Sequence, residues 1–295
     1  MKWMKGMGLL LIANILIMVT ISITVPILIN VILPMFGIDL RGSVNLSSLV
    51  WAAMFGFGGA FISLAFSKQM ARAMLDCQQI TQPRSYGEQV IYGSVQEIAQ
   101  RLHITMPEVW VYDSPDPNAF ATGPSKNNSM VAVSTGLLQN LKEEEVKAVL
   151  AHEMGHVYNG DMFATTVLAG LMNTFVFYIA MWVRRVFAER GQAVLGFGLS
   201  LVLQIVISIL ASIVISWFSR RREFGADAFA ARVYGKDSMI SALRGIDRWV
   251  TRTQFQYSTQ DALATMKISG RAGGFMSLFS THPPIEARIA ALEQL

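Results

Sequence analysis

Residues 152–156 read His152-Glu153-Met154-Gly155-His156, and the segment leading into them carries the marks of a helix. Glu143-Glu144-Glu145 place acids where a helix N-terminus favours them. Val146, Val149, Leu150 and Val157 form an apolar stripe. On that helix the two histidines, four apart, share one face. Two imidazoles so placed can reach a single Zn²⁺ at about 2.0–2.1 Å. Glu153 is offset from that face, where it can act on a water rather than on the ion, which is the arrangement of a metalloprotease base. A catalytic zinc also needs a third protein ligand and an open fourth position. No third histidine follows six residues on, because Met162 stands there. The best candidate is Glu223, in Arg222-Glu223-Phe224-Gly225-Ala226-Asp227. Asp227, one helical turn further, can accept a hydrogen bond from a ligand imidazole.

Composition sets the solvent. Of 295 residues, 53% are hydrophobic and 15% charged, against roughly 25% charged in an ordinary soluble domain. The mean hydropathy is +0.42. Part of this chain is therefore expected to be solvated by lipid. The net charge of +4 comes without a dense basic tract interleaved with aromatics, so nucleic-acid binding is not expected. A lone Cys77 permits no intrachain disulfide and no thiol cluster. Besides the motif pair, the histidines are His103, which reads as bland, and His282.

Four apolar runs, at 7–29, 44–66, 162–183 and 193–218, are each long enough to cross a bilayer. Lys2 and Lys5 precede the first, Lys68, Arg72 and Arg84 follow the second, and Arg220-Arg221-Arg222 follow the fourth. Excess Lys and Arg mark the cytoplasmic side. This puts both termini and the catalytic segments in the cytoplasm. The link after the third run, with Arg184, Arg185 and Arg190, runs against that rule if the hairpin crosses. The first run lacks a signal-peptide cleavage site and is expected to remain as an anchor. Four segments follow: an N-terminal hairpin (1–67), the first part of a catalytic domain (68–161), a second hydrophobic hairpin (162–218), and the rest of the catalytic domain (219–295). His156 precedes the second hairpin and Glu223 follows it, so two crossings, or none, return both ligands to one side.

The catalytic segments read as mainly α with a small β component. Ile91, Val95, Ile98 and Leu102 recur at helical spacing, as do Ile240, Leu243 and Ile246. Val109–Tyr112 and Met130–Val133 read as strands, and Asp113–Pro117 as a turn. Asn118–Gly123 is either an extended segment or a loop. Pro283-Pro284 start a last helix carrying Ile285, Ile289 and Leu292.

Five segments together resemble the HtpX family of bacterial membrane zinc metalloproteases: Asn118–Gly123, Val133–Leu138, His152–Asp161, Arg222–Asp227, and Thr281–Pro284 with Arg288. They stand in the family's order, flanked by apolar hairpins. The resemblance implies a gluzincin-type catalytic domain with about four membrane helices, in the bacterial inner membrane. It implies one catalytic Zn²⁺, held by His152, His156 and Glu223, and endopeptidase action on misfolded or damaged membrane proteins under stress. It further implies that Asn118 and Ala119 lie on an edge strand lining the cleft, where an extended peptide docks by strand addition. His282 would stabilise the developing oxyanion, and Arg288 would serve as oxyanion donor or structural support. Asp161 either supports a ligand or merely ends the active-site helix. The link from Arg184 to Gln192 is short for the family.

Glu153 then serves as general base and afterwards returns the proton to the leaving amine. The rivals are a prenyl-protein endopeptidase with the same zinc logic, a membrane chaperone with a structural zinc, and a metal transporter. The last would need ionisable residues within its spans, where the most polar residues are Asn173 and Gln204.

Overall fold

The computed structural model describes residues 46–256 and 278–295, with Ile27, Val31, Leu33–Met35 and Gly37. The apolar run at 7–29 and the link carrying Asp39 and Arg41 lie outside the described residues, except for those few positions. Within the described residues the chain is mostly helical with one small mixed sheet. It divides into two compact units, Met1–Ala65 with Thr166–Ser212, and Phe66–Thr165 with Ile213–Leu295.

The first unit is built on apolar helices. α1 (Leu46–Ala65) is one of three helices among the described residues long and apolar enough to cross a membrane. The others are α6 (Asp161–Glu189) and α7 (Ala193–Tyr234), each shared between the two units. Small residues bring α1 and α6 together. A Cβ at Gly56 would run into the backbone of Thr174, and one at Gly170 into the ring of Phe57. The apolar run at 193–218 is only the first part of α7, because nothing at Arg220-Arg221-Arg222 breaks a helix. Charge ends the lipid-compatible stretch, while helix propensity continues.

The second unit holds α2 (Ser67–Leu75), β1 (Gln78–Gln79), α3 (Tyr86–Arg101), β2 (Glu108–Tyr112), β3 (Ala119–Ser125), β4 (Asn128–Ser134), α4 (Thr135–Asn140), α5 (Glu143–Asn159), the start of α6, the end of α7, α8 (Lys236–Gln256) and α9 (Ile285–Glu293). The sheet order is β1-β2-β4-β3. β2 and β4 are parallel, and β3 pairs antiparallel with β4, placing Ala119 opposite Val133 and Thr122 opposite Met130. β3 is thus one edge strand of this sheet, and β1 the other, among the described residues.

α5 packs against β3 and β4 on one side, and against α3 and α8 elsewhere. Its burial follows from composition: Val146, Ala148, Val149, Leu150, Ala151, Met154 and Val157 are all buried. All but Val157 join Ile91, Val95 and Ile98 of α3, Val131 and Val133 of β4, and Leu243 of α8 in one core. α3 opens with a capping box, in which Ser85 Oγ accepts from the Glu88 amide at 3.2 Å and the Glu88 carboxylate accepts from the Ser85 amide at 3.4 Å.

Candidate metal centre

α5 presents His152 and His156 towards α7, which delivers Glu223 and Asp227. The close approach of the two helices depends on Gly155, since a Cβ there would lie 3.2 Å from Phe229 Cβ and 3.3 Å from Ala226 Cα. The Nε2 atoms of the two histidines are 3.1 Å apart. Glu223 Oε2 lies 3.5 Å from His152 Nε2, and Glu223 Oε1 lies 3.3 Å from His156 Nε2. These three side chains are the group among the described residues whose donor atoms converge on one point, all within 4.8 Å of one another. Bonds of about 2.0–2.1 Å to a tetrahedral ion place ligand atoms about 3.3–3.4 Å apart. The observed separations bracket that value.

Each imidazole is held in the tautomer that frees Nε2. His152 Nδ1–H donates to Asp227 Oδ1 at 2.9 Å, and His156 Nδ1–H donates to Asp161 Oδ2 at 2.6 Å. A carboxylate only accepts, so the ring proton resides on Nδ1 and the Nε2 lone pair faces the cluster. Both carboxylates are themselves gripped. Arg288 forks onto Asp227 with contacts of 2.6 and 2.8 Å, and Arg222 pairs with the other oxygen of Asp161. Arg288 Nη2 is also 3.4 Å from His152 Nδ1. Both atoms carry hydrogen, so that contact is not a hydrogen bond.

Arg288 is buried and committed to Asp227, with Nη1 3.4 Å from Glu223 Oε2. His282 approaches from the tail, and its Nδ1 lies 2.7 Å from Glu223 Oε2, with the side chain 35% exposed. Glu153 is half-buried beside this group.

The electrostatics favour a cation. Glu153, Asp161, Glu223 and Asp227 outnumber the guanidiniums of Arg222 and Arg288 by two. Burial pushes the His152 and His156 pKa values down. The carboxylates outweigh it, chiefly Asp227 for His152 and Glu223 for His156, and both end above the ordinary value. Burial likewise opposes ionisation of Glu223, but His282, followed by the His152 and His156 rings around it, holds it well below the usual range. Burial also opposes the Asp227 charge, yet Arg288 and His152 bring that carboxyl down to about 2.

Asn118 and Ala119 sit where β3 begins. Asn118 N donates to Ser134 Oγ at 2.9 Å, and its side-chain amide donates to Tyr112 Oη at 2.9 Å. Ser134 Oγ in turn donates to Asp116 O at 2.6 Å and caps α4 by accepting from Leu137 N at 3.0 Å. Gly136 lets the loop lie close, because a Cβ would strike the Pro115 carbonyl. The Ser134-Thr135-Gly136 segment therefore fixes the entry into β3. The contacts of Asp161 with His156 and Arg222 were left open by the sequence. The only signal for them was an acid following Gly160 at a helix start.

Three protein donors with a half-exposed carboxylate beside them are what a hydrolytic metal site requires, and the class this defines is the metallopeptidases. The profile of peptidase family M48 matches residues 88–295. Protease HtpX of Idiomarina loihiensis is 43% identical over 297 residues, covering 99% of each chain. Protease HtpX of Thioalkalivibrio sulfidiphilus is 45% identical over 301 residues, again covering 99% of each. The crystal structure of S. mikatae Ste24p shares the fold, with a TM-score of 0.62 at 21% identity over 96% of this chain and 66% of that one. The chain belongs to peptidase family M48. It is a membrane-anchored metalloprotease, a hydrolase of peptide bonds.

Proposed function

We propose that the chain cleaves misfolded or damaged membrane proteins at the cytoplasmic face of a bacterial inner membrane, using one zinc ion held by His152, His156 and Glu223. One observation carries this reading: two Nε2 atoms 3.1 Å apart, each with a Glu223 carboxylate oxygen 3.3–3.5 Å away, both imidazoles being fixed so that Nε2 faces that carboxylate. Bound zinc would supply Lewis acidity, making a water acidic enough to deprotonate near neutral pH. Glu153 takes the proton from the attacking water and returns it to the leaving amine. Asp227, held by Arg288, keeps His152 in its ligand tautomer. Nδ1 of His282 is spent on Glu223, so its other nitrogen is the one that serves a developing oxyanion.

The substrate is an extended polypeptide. β3 pairs on one side only among the described residues and packs against α5. A peptide added alongside Asn118 and Ala119 would therefore run past the catalytic helix. The bilayer is close. Glu223 follows Phe218, the last residue of the apolar run, by five residues of continuous helix, a rise of about 7.5 Å at 1.5 Å per residue. Trp217, 51% exposed at that boundary, is the residue type that settles at a membrane interface.

Metal analysis of the full-length protein, alone and as Glu153→Gln, tests the assignment. One zinc per chain in both, with cleavage of an unfolded membrane protein only by the parent, is the expected result. Full activity of Glu153→Gln would sink the mechanism. A reporter joined after Leu295 tests the side, and a signal from outside the cell would overturn the cytoplasmic placement.

A further inference from the structure

The two histidines are supported from different parts of the chain. Asp227, behind His152, lies one turn beyond Glu223 on α7 and is gripped by Arg288 of α9. Asp161, behind His156, is the first residue of α6, the helix that enters the hydrophobic hairpin. Arg222, which grips Asp161, immediately precedes Glu223 on the helix leaving that hairpin. Its guanidinium also lies 3.5 Å from the Asn159 carbonyl at the end of α5 and 5.2 Å from the ring of Phe218.

We propose that Asp161 and Arg222 form a positioning pair: Asp161 seats His156 for the metal, and Arg222 holds Asp161 while fastening the two helix bases of the hairpin to the end of α5. The proposal rests on reading His156 as a metal ligand.

The physical case has three parts. Asp161 is 6% exposed, and a buried carboxylate is retained only where its oxygens are satisfied. Here one oxygen serves His156 and the other Arg222. The carboxylate sits at a helix N-terminus, where the backbone dipole favours its charge. Finally, Arg222 and Glu223 are chain neighbours that address His156 from opposite ring nitrogens, through Asp161 at Nδ1 and directly at Nε2. A shift of α7 relative to α6 at the hairpin base would therefore move the third ligand and the support of the second together.

The test uses the full-length protein in detergent. Zinc affinity is read by competition with a chromophoric chelator, the site geometry by the absorption of bound Co²⁺, and stability by thermal unfolding with and without EDTA. Asp161→Ala is expected to weaken zinc binding by about 10–100-fold, the usual effect of losing such a partner, and to perturb the Co²⁺ spectrum. Asp161→Asn keeps an acceptor for His156 Nδ1–H and should recover much of that loss. Arg222→Ala should weaken binding in the same direction, and Arg222→Lys less. The double variant Asp161→Ala/Arg222→Ala should lose little more than Asp161→Ala alone, since the two act in series.

Unchanged affinity and spectrum in Asp161→Ala, with affinity lost in His156→Ala, would overturn the positioning role and leave the ligand reading standing. Unchanged affinity in His156→Ala removes the ligand reading itself. Should Asp161→Ala not fold, Asp161→Asn and Arg222→Lys decide. Equal loss of stability with and without EDTA, at parental affinity, would make the pair a structural ion pair only and overturn the proposal.

Discussion

α5 and the first part of α7 are both rich in aliphatic side chains, yet they spend them in opposite ways. On α5, Val146, Leu150, Ala151 and Met154 are enclosed by the sheet and its flanking helices. On α7, Leu195, Val202, Ile205 and Leu210 are more than half exposed. The first pattern excludes water by packing protein on protein. The second leaves an apolar surface for which a bilayer is the natural solvent. The comparison teaches that hydrophobicity alone does not assign a helix to a core. A helix surrounded by chain carries a mixed sequence, whereas one facing lipid carries no ionisable group at all from Ala193 to Phe218. The His152, His156 and Glu223 cluster draws on both helices.

Chemistry separates them most sharply. Glu153→Gln removes a proton acceptor from α5 and should lower the turnover of an unfolded polypeptide about 10²–10⁴-fold, with metal content and melting temperature near the parental values. No substitution of an outward-facing residue on the apolar part of α7 should approach that loss. If one did, the division between a catalytic helix and a solvent-facing helix would be wrong.

Packing gives the next contrast. Leu150→Ala opens a cavity in a close-packed core and should cost about 2–5 kcal/mol, seen as a lowered unfolding midpoint of the protein in detergent. The matching Ile205→Ala, on a side chain 63% exposed, removes surface that lipid or detergent covers and should cost well under half as much. Equal costs would show that something other than lipid buries α7.

Response to pH belongs to the catalytic unit, because the apolar part of α7 has nothing to titrate. Burial among Phe120, Met130 and Ala132 pushes the Tyr112 hydroxyl up to about 12, partly offset by the hydrogen bond from Asn118. Its folded-state pKa is thus above that of an unfolded tyrosine, near 10. The stability it contributes is complete below pH 10, falls as pH rises from 10 through 12, and is then gone. Two pH units correspond to about 2–3 kcal/mol. Denaturation midpoints across pH 9–12 should show this decline, and Tyr112→Phe should lack that part of it. Tyr112→Phe should also loosen Asn118 and raise KM more than it changes kcat. An identical decline in the Phe variant would assign the alkaline loss to other groups.

Much of this was legible in the sequence because it depends on short-range pattern. The spacing of His152 and His156, and of Glu223 and Asp227, survives any change of surroundings, and the strands around Val109 and Val131 announce themselves by β-branched runs. Three features were not. Gln78–Gln79 carries no apolar signal, and becomes β1 only because it lies against Val111 and Trp110. The continuation of α7 to Tyr234 is hidden by the change from aliphatic to charged residues at Ser219, which alters solvent preference but not backbone preference. The Asp161–Arg222 pair spans 61 positions, and a single acid at a helix start has an ordinary local explanation that conceals a tertiary one. The convergence of His152, His156 and Glu223 was readable from motifs, while the groups that hold those side chains required the fold.

The joint between the two regions offers the smallest effect and the finest discrimination. Gly160 is the one residue between α5 and α6, with φ 69° and ψ 33°. That left-handed conformation costs an L-residue about 1–2 kcal/mol. A Cβ there would meet nothing within 4 Å, so the cost of Gly160→Ala is backbone strain alone. A stability loss of about 1 kcal/mol, read as a lowered melting temperature, is expected, with Gly160→Asn milder because asparagine tolerates this region. Zinc affinity should follow neither change if the strain stays in the turn. Should Gly160→Ala weaken metal binding while Gly160→Asn does not, the turn would be setting the distance between His156 and Asp161. The hairpin helix and the catalytic helix would then be mechanically one element across the glycine, and the contrast between them would be one of solvent only.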